Sequence, residues 1–123
     1  MLVAIGLAGL AQAGPNGVWE GFGHDETASY AYNPMTVTTP SASAKAVTLK
    51  STFNALLGLK GYATPAATMV QRLTVQCQAK TYQVSMVTYY DASGNEIASK
   101  AETAAPSAIT GGASAALAGK VCQ

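Results

Sequence analysis

The stretch MVQRLTVQCQAKTYQVSMVTYY, residues 69–90, decides the fold of this chain. Its first half, residues 69–78, carries Leu73, Val75 and Cys77 at every second position. Side chains two residues apart lie on the same face of a β-strand, so this alternation predicts a strand that is buried on one face. We therefore expect Cys77 on the core face of a sheet.

The second half of the stretch, residues 81–90, is dense in β-branched and aromatic residues and carries the strongest strand signal in the chain. Strict alternation places Tyr82, Val84 and Met86 on one face, and Val87 and Tyr89 on the other. Residues 91–95 follow as a hairpin turn, since Gly94 and Asn95 tolerate a positive φ. Residues 96–100 then return as a strand.

Upstream of this stretch, shorter alternating runs predict three more strands. They cover residues 18–22, 29–32 and 45–57, although the end of the third run would also suit a short helix. The sequence Gly-His-Asp-Glu at residues 23–26 is expected to break the first strand. Loops are predicted at residues 38–43, which are rich in Thr, Ser and Pro, and at residues 58–67, which contain Gly and Pro.

Near the C-terminus the sequence pattern changes to helical spacing. From residue 110 onward, the positions that recur three and four residues apart are Ala113, Ala116, Leu117, Lys120 and Val121. They predict an amphipathic helix of about 11 residues that ends beside Cys122. A helix so short and so rich in small residues is marginal alone, so we expect it to pack on the sheet.

The N-terminus has the form of an export signal. An apolar run at residues 2–10 precedes Ala11-Gln12-Ala13, a small-x-small site of the kind that signal peptidase accepts. The usual positively charged start is missing, so we expect an unusual or truncated leader. The alternatives are a buried N-terminal helix and a transmembrane anchor, for which the run is short. The prediction is a signal peptide over residues 1–13 and one domain over residues 14–123.

Export would carry the two cysteines, Cys77 and Cys122, into an oxidising compartment. We expect them to form one disulfide, which would pin the C-terminal helix to the sheet face that holds Leu73 and Val75. The predicted fold is therefore α+β: a mainly antiparallel sheet of about five or six strands, with one C-terminal helix tethered to it by a disulfide.

The charged residues favour neither nucleic-acid binding nor catalysis. Seven Lys and Arg and six Asp and Glu are dispersed along the chain and leave a net charge of +1, so no nucleic-acid surface is predicted. The single His, His24, stands beside Asp25 and Glu26, but a zinc site needs three or four ligands, and we interpret these residues as a solvated loop. Asp91 is expected to form a turn. We predict no enzyme, no cofactor and no metal site.

Tyrosines are the candidate contact residues. The predicted strands carry Tyr30, Tyr32, Tyr82, Tyr89 and Tyr90. Adjacent residues on a strand face opposite sides, so one side of the sheet should keep exposed rings. Exposed Tyr is favoured at protein interfaces, which makes these five residues candidates for contact with a partner. The alternative is that the rings simply cover a thin sheet.

The ordered set of motifs resembles the surface-adhesin protein E family of exported bacterial proteins. The set comprises Trp19, Cys77 on a central strand, Tyr89-Tyr90-Asp91-x-x-Gly94 at a hairpin, Pro106-Ser107, and a helix that ends in Val121-Cys122. The resemblance implies an antiparallel sheet with a C-terminal helix held by a Cys77–Cys122 disulfide. It also implies adhesion to host matrix or plasma proteins. The known adhesin is lipidated on a cysteine that this leader lacks, so a periplasmic or secreted location without a lipid anchor fits better.

The expected function is therefore that of an exported, non-catalytic binding protein whose partner is a protein, such as a host extracellular matrix protein. The alternative is a periplasmic or envelope-associated protein that binds a small ligand between helix and sheet. Unpaired sheet edges also allow a homodimer. A groove beneath residues 110–121 would favour a ligand, whereas a flat apolar patch would favour a protein partner. The sequence does not identify the partner or distinguish monomer from dimer.

Overall fold

Eight strands form one antiparallel sheet in the computed structural model, which describes residues 18–122. The strands are β1 (Glu20–His24), β2 (Ala28–Tyr32), β3 (Thr38–Ser41), β4 (Ala44–Leu57), β5 (Ala66–Gln76), β6 (Thr81–Tyr90), β7 (Glu96–Ala101) and β8 (Ser107–Ala108). A 3-10 turn (Pro34–Thr36) precedes β3, and helix α1 (Gly112–Val121) follows β8. The predicted signal peptide, residues 1–13, lies outside the described residues.

The strand order is β1-β2-β4-β5-β6-β7, with β3 paired to β4 and β8 paired to β6. The predicted fold class is confirmed, but the predicted number of strands was too small. Residues 38–43 were expected to form a loop, yet Thr38 and Ser41 lie opposite Ala46 and Ala44 of β4. Strand β4 is 14 residues long and extends beyond β2, so β3 supplies hydrogen-bond partners for its uncovered half.

Three predicted boundaries also change. Strand β1 continues through His24, where residues 23–26 were expected to end it. Strand β4 stays extended to Leu57, so the alternative of a short helix at its end is wrong. Strand β5 begins at Ala66, inside the predicted loop of residues 58–67. In each case pairing with a neighbouring strand outweighs the local preference of the sequence.

A β-bulge at Ser85 changes which residues of β6 face the core. Leu73 lies opposite Val84, whereas Arg72 lies opposite Met86, so Ser85 is an extra residue on β6. The bulge shifts the alternation by one position. Met86 therefore lies on the face opposite Val84 and is 40% exposed. The sequence-based assignment of Met86 to the face of Val84, and of Val87 and Tyr89 to the opposite face, was wrong.

The core lies between one face of the sheet and helix α1. Its buried members are Tyr32, Val47, Leu49, Leu73, Val75, Leu117 and Val121. Tyr32 lies opposite Leu49, and Val47 lies opposite Leu73. Val75 lies opposite Lys45. We call this side of the sheet the helix-side face. It contains the predicted core positions of β5.

Helix α1 contributes few buried side chains. Leu117 and Val121 are buried, whereas Ala116 and Lys120, which the sequence pattern placed on the packed stripe, are exposed. The helix has 10 residues and begins at Gly112, with Gly111 as its N-cap. Gly111 and Gly112 adopt positive φ values of 144° and 65°, which glycine tolerates, and they form the turn that leads into the helix.

The predicted disulfide is confirmed. Cys77 follows the end of β5, Cys122 follows the end of α1, and the two Cα atoms are 5.7 Å apart. Both residues pack against the core. The bond therefore fixes the C-terminal end of the helix to the sheet.

Removing the disulfide by Cys77→Ser together with Cys122→Ser should lower the free energy of unfolding by up to about 4 kcal/mol, because the bond closes a loop with a sequence separation of 45. Urea denaturation of the double variant and of the oxidised protein measures this loss. Reduced wild-type protein serves as the control and should match the double variant. An unchanged urea midpoint would show that the bond adds no stability.

Candidate functional site

A cavity of about 260 Å³ lies between the N-terminal half of α1 and the helix-side face of the sheet. Most of its wall is apolar. The apolar lining residues are Ala28, Leu49, Phe53, Met69, Leu73, Val75, Val84, Ala113 and Leu117. The cavity thus adjoins the core on one side and is roofed by the helix.

The residue sizes on α1 explain why the cavity is present. The helix presents Ala113 and Ser114 to it, and neither side chain is long enough to fill the space to the sheet. One turn later Leu117 is 1% exposed and closes the gap. The disulfide holds the following turn at Cys122. The helix is therefore packed at its C-terminal end and separated from the sheet at its N-terminal end.

Two polar side chains lie on the sheet floor of the cavity. Ser51 of β4 is 3% exposed, and its hydroxyl has no hydrogen-bond partner within residues 18–122. Gln71 of β5 is half-buried, and its carboxamide is likewise unpaired in the described part of the chain. Gln71 lies opposite Leu49, two positions from Ser51 along β4. The side chains of Ser51 and Gln71 therefore form one polar patch on an otherwise apolar floor.

Tyr30 forms part of the cavity wall and is held by Asp25. The Tyr30 hydroxyl donates to Asp25 Oδ2 at 2.7 Å, and Asp25 Oδ1 accepts from the backbone N–H groups of Thr27 and Ala28 at 2.8 and 3.0 Å. The hydrogen bond from Tyr30 and those from the backbone lower the pKa of Asp25 below its ordinary value. Burial and the Asp25 hydrogen bond raise the pKa of Tyr30. Both groups therefore keep their ordinary charge states near neutral pH.

The five predicted contact tyrosines fall into different environments. Tyr30 and Tyr82 are half-buried and line the cavity. Tyr32 is only 8% exposed because it packs in the core. Tyr89 is half-buried and lies opposite Met69, which places it on the helix-side face, whereas Tyr90 is half-buried on the other face. Their role in contact with a partner stays a prediction.

The residues examined for catalysis or metal binding do not converge. His24, Asp25 and Glu26 are exposed at the turn between β1 and β2. Within residues 18–122 there is no group of three or more His, Cys, Asp or Glu side chains that could hold a metal ion. Asp91 forms the hairpin turn as expected, since its Oδ1 accepts from the backbone N–H groups of Ser93 and Asn95, each at 2.9 Å.

The chain matches no protein-family model, no curated protein and no solved structure. The resemblance to the surface-adhesin protein E family therefore stays a prediction. The helix of the described region, α1, is too short and not apolar enough to cross a membrane.

Apart from Tyr30 and Tyr82, the cavity-lining residues were not predicted to belong to a site. A signal was present, because Ser51 interrupts the apolar series Val47, Leu49 and Phe53 on the core-facing side of β4. Gln71 similarly lies between Met69 and Leu73 on β5. Polar residues at core-facing positions need partners and therefore mark positions of interest. The sequence alone does not show that they border a cavity.

Replacing Tyr30 by Phe should raise the pKa of Asp25 toward its ordinary value of 3.8, because the main hydrogen bond that favours the carboxylate is lost. The stability that this bond adds is present above pH 3.8 and is lost as the pH falls through the lowered pKa. The variant should therefore lose less stability than the wild type in that acidic window. Carboxyl ¹³C NMR titration and acid unfolding measure both effects, with Tyr89→Phe as the matched control. An unchanged pKa in Tyr30→Phe would contradict the assignment.

Proposed function

We propose that this protein is an exported, non-catalytic binding protein that holds a small apolar ligand between helix α1 and the sheet. The observation that carries the proposal is the cavity of about 260 Å³ beneath Ala113, Ser114 and Leu117. Apolar cavities with a few polar groups are the usual form of small-molecule sites. A groove in this place also favours a ligand over a protein partner as the occupant of the helix-side face.

The size of the cavity limits the ligand. Drug-sized molecules occupy pockets of about 300–1,000 Å³, whereas benzene fits an apolar cavity of about 150 Å³. A space of about 260 Å³ therefore suits a single substituted ring or a short branched chain. A second hollow shares Gln71, Tyr82 and Val84 with the cavity, which places the two next to each other. A longer ligand would extend in that direction.

The disulfide supports an exported location. Disulfides persist in oxidising compartments such as the bacterial periplasm and are rare in the cytosol. The Cys77–Cys122 bond lies at the end of the helix that roofs the cavity. An oxidising compartment would therefore keep the roof attached and the site formed.

Filling the cavity by Ala113→Phe should weaken binding of ethylbenzene at least about tenfold, because the new ring would occupy the space of the ligand. The affinity is measured by titration of ethylbenzene against the backbone ¹H–¹⁵N spectrum. The matched control is Ala116→Phe, the same change at an exposed position of the same helix. Absence of saturable binding by the wild type, or equal affinity of the Ala113→Phe variant and the wild type, would contradict the proposal.

An adhesive function is a second proposal, and it has a separate surface. Leu56, Leu57 and Tyr62 are 57%, 41% and 52% exposed at the end of β4 and in the loop that follows it. Leu56 and Leu57 are adjacent on a strand and so face opposite sides of the sheet, which leaves exposed apolar area on both faces at this end. Exposed apolar area of this kind favours contact with a protein. The surface does not include cavity-lining residues, so both functions are compatible.

If this surface binds a host matrix protein, Leu56→Asp should abolish most of the binding to immobilised matrix proteins, because it places a charge within the apolar contact. Surface plasmon resonance measures the loss. Met35→Asp is the matched control, since Met35 is 81% exposed and far along the chain from Leu56. Wild-type protein that binds no matrix protein would count against the adhesive function and leave the ligand proposal untouched.

A further inference from the structure

We infer that the ligand of the helix–sheet cavity is a neutral molecule with an apolar body and one hydroxyl group, and that Ser51 binds this hydroxyl. The inference rests on the proposed ligand-binding function and adds the chemical class of the ligand. It is carried by a hydroxyl at the cavity floor that makes no hydrogen bond to the described part of the chain, and by the absence of charged residues from the cavity lining.

Ser51 is the first observation. Ser51 is 3% exposed and lines the cavity. Its hydroxyl neither donates nor accepts a hydrogen bond within the part of the chain that the structure describes. The fully buried side-chain oxygen without a partner in the described region is Thr68 Oγ1, so the Ser51 oxygen is not sealed off and opens to the cavity, where water can reach it. A molecule in the cavity can supply the missing partner. A ligand hydroxyl suits Ser51 well, because both groups donate and accept.

The neighbours of Ser51 do not replace such a partner. Tyr30 lies directly opposite Ser51 in the sheet, but its hydroxyl donates to Asp25 Oδ2 at 2.7 Å. Met69, opposite Ser51 on the other side, offers only a thioether. Ser114 across the cavity donates to the backbone oxygen of Gly111 at 3.0 Å. Gln71, diagonal to Ser51, is placed to give the ligand a second hydrogen bond, and the hydroxyls of Thr27 and Tyr82 also line the cavity.

Charge around the cavity is the second observation. Of the residues described, no Lys, Arg, His, Asp or Glu lines the cavity. A charged ligand would therefore be taken out of water without a counter-ion, which is strongly unfavourable. Asp25 is hydrogen-bonded to Tyr30 of the cavity wall, and Glu102 lines the adjoining hollow, so both nearby carboxylates would repel an anion. These features favour a neutral ligand over a carboxylic acid or an amine.

The test compares four probes of similar size: benzyl alcohol, ethylbenzene, benzoate and benzylammonium. Their affinities for the wild type, Ser51→Ala and Ser29→Ala are measured by NMR shift titration at neutral pH. Ser51→Ala should weaken binding of benzyl alcohol about fivefold and leave that of ethylbenzene within about twofold. Benzoate and benzylammonium should bind wild-type protein at least about tenfold more weakly than benzyl alcohol.

Ser29→Ala is the matched control. Ser29 lies next to Tyr30 on β2, so its side chain is on the face opposite the cavity, and it is exposed. This variant should leave all four affinities unchanged. Ser51→Ala should fold normally, because it removes a hydroxyl that has no partner.

The possible failures are distinguishable. If none of the four probes binds the wild type, the proposed ligand-binding function fails together with the inference. If ethylbenzene binds, the effect of Ser51→Ala on the affinities of benzyl alcohol and ethylbenzene decides the role of Ser51. An equal loss for both probes, or no loss for either, would overturn that role alone. Tighter binding of benzoate or benzylammonium than of benzyl alcohol would overturn the neutral class of the ligand.

Discussion

The covalent bond between Cys77 and Cys122 is the constraint on which the candidate site depends. Helix α1 has 10 residues, is rich in Ala and Gly, and buries only Leu117 and Val121. A helix of this length and composition is not stable alone, so its position must come from attachment to the sheet. The disulfide and the two buried side chains provide that attachment at the C-terminal end. The opposite end begins at the Gly111 turn, and there the helix stands away from the sheet.

Because the helix is attached at one end only, the fold leaves space for the proposed ligand. A helix packed along its whole length would extend the core and leave no space beneath it. Here small residues on the roof, Ala113 and Ser114, face the Ser51 floor across a cavity of about 260 Å³. The β-bulge at Ser85 places a further apolar side chain on the same face. Val87 lies on the helix side because of the bulge, and it is 5% exposed. The same face thus provides both the packed core and the site.

Much of the fold follows from the sequence because it depends on local patterns. The alternation of Leu73, Val75 and Cys77 and the turn at Asp91 predict paired strands, and the two cysteines predict the tether of the helix. Strand β3 was not predicted, because its pairing depends on the uncovered length of β4 rather than on its own Thr- and Pro-containing sequence. The bulge at Ser85 was also missed. Its position is set by pairing with β5, which a single strand does not reveal.

A ligand between helix and sheet was one of two alternatives that the sequence left open, because the presence of a cavity depends on the separation of helix and sheet. Nuclear Overhauser contacts between bound ethylbenzene and the methyl groups of the protein are the most direct test of the site. If ethylbenzene binds in the cavity, we expect contacts to Leu73, Val75 and Leu117, whose side chains line it. Contacts confined to exposed apolar side chains such as Met35 and Leu56 would contradict this expectation, because they would place the probe on the surface.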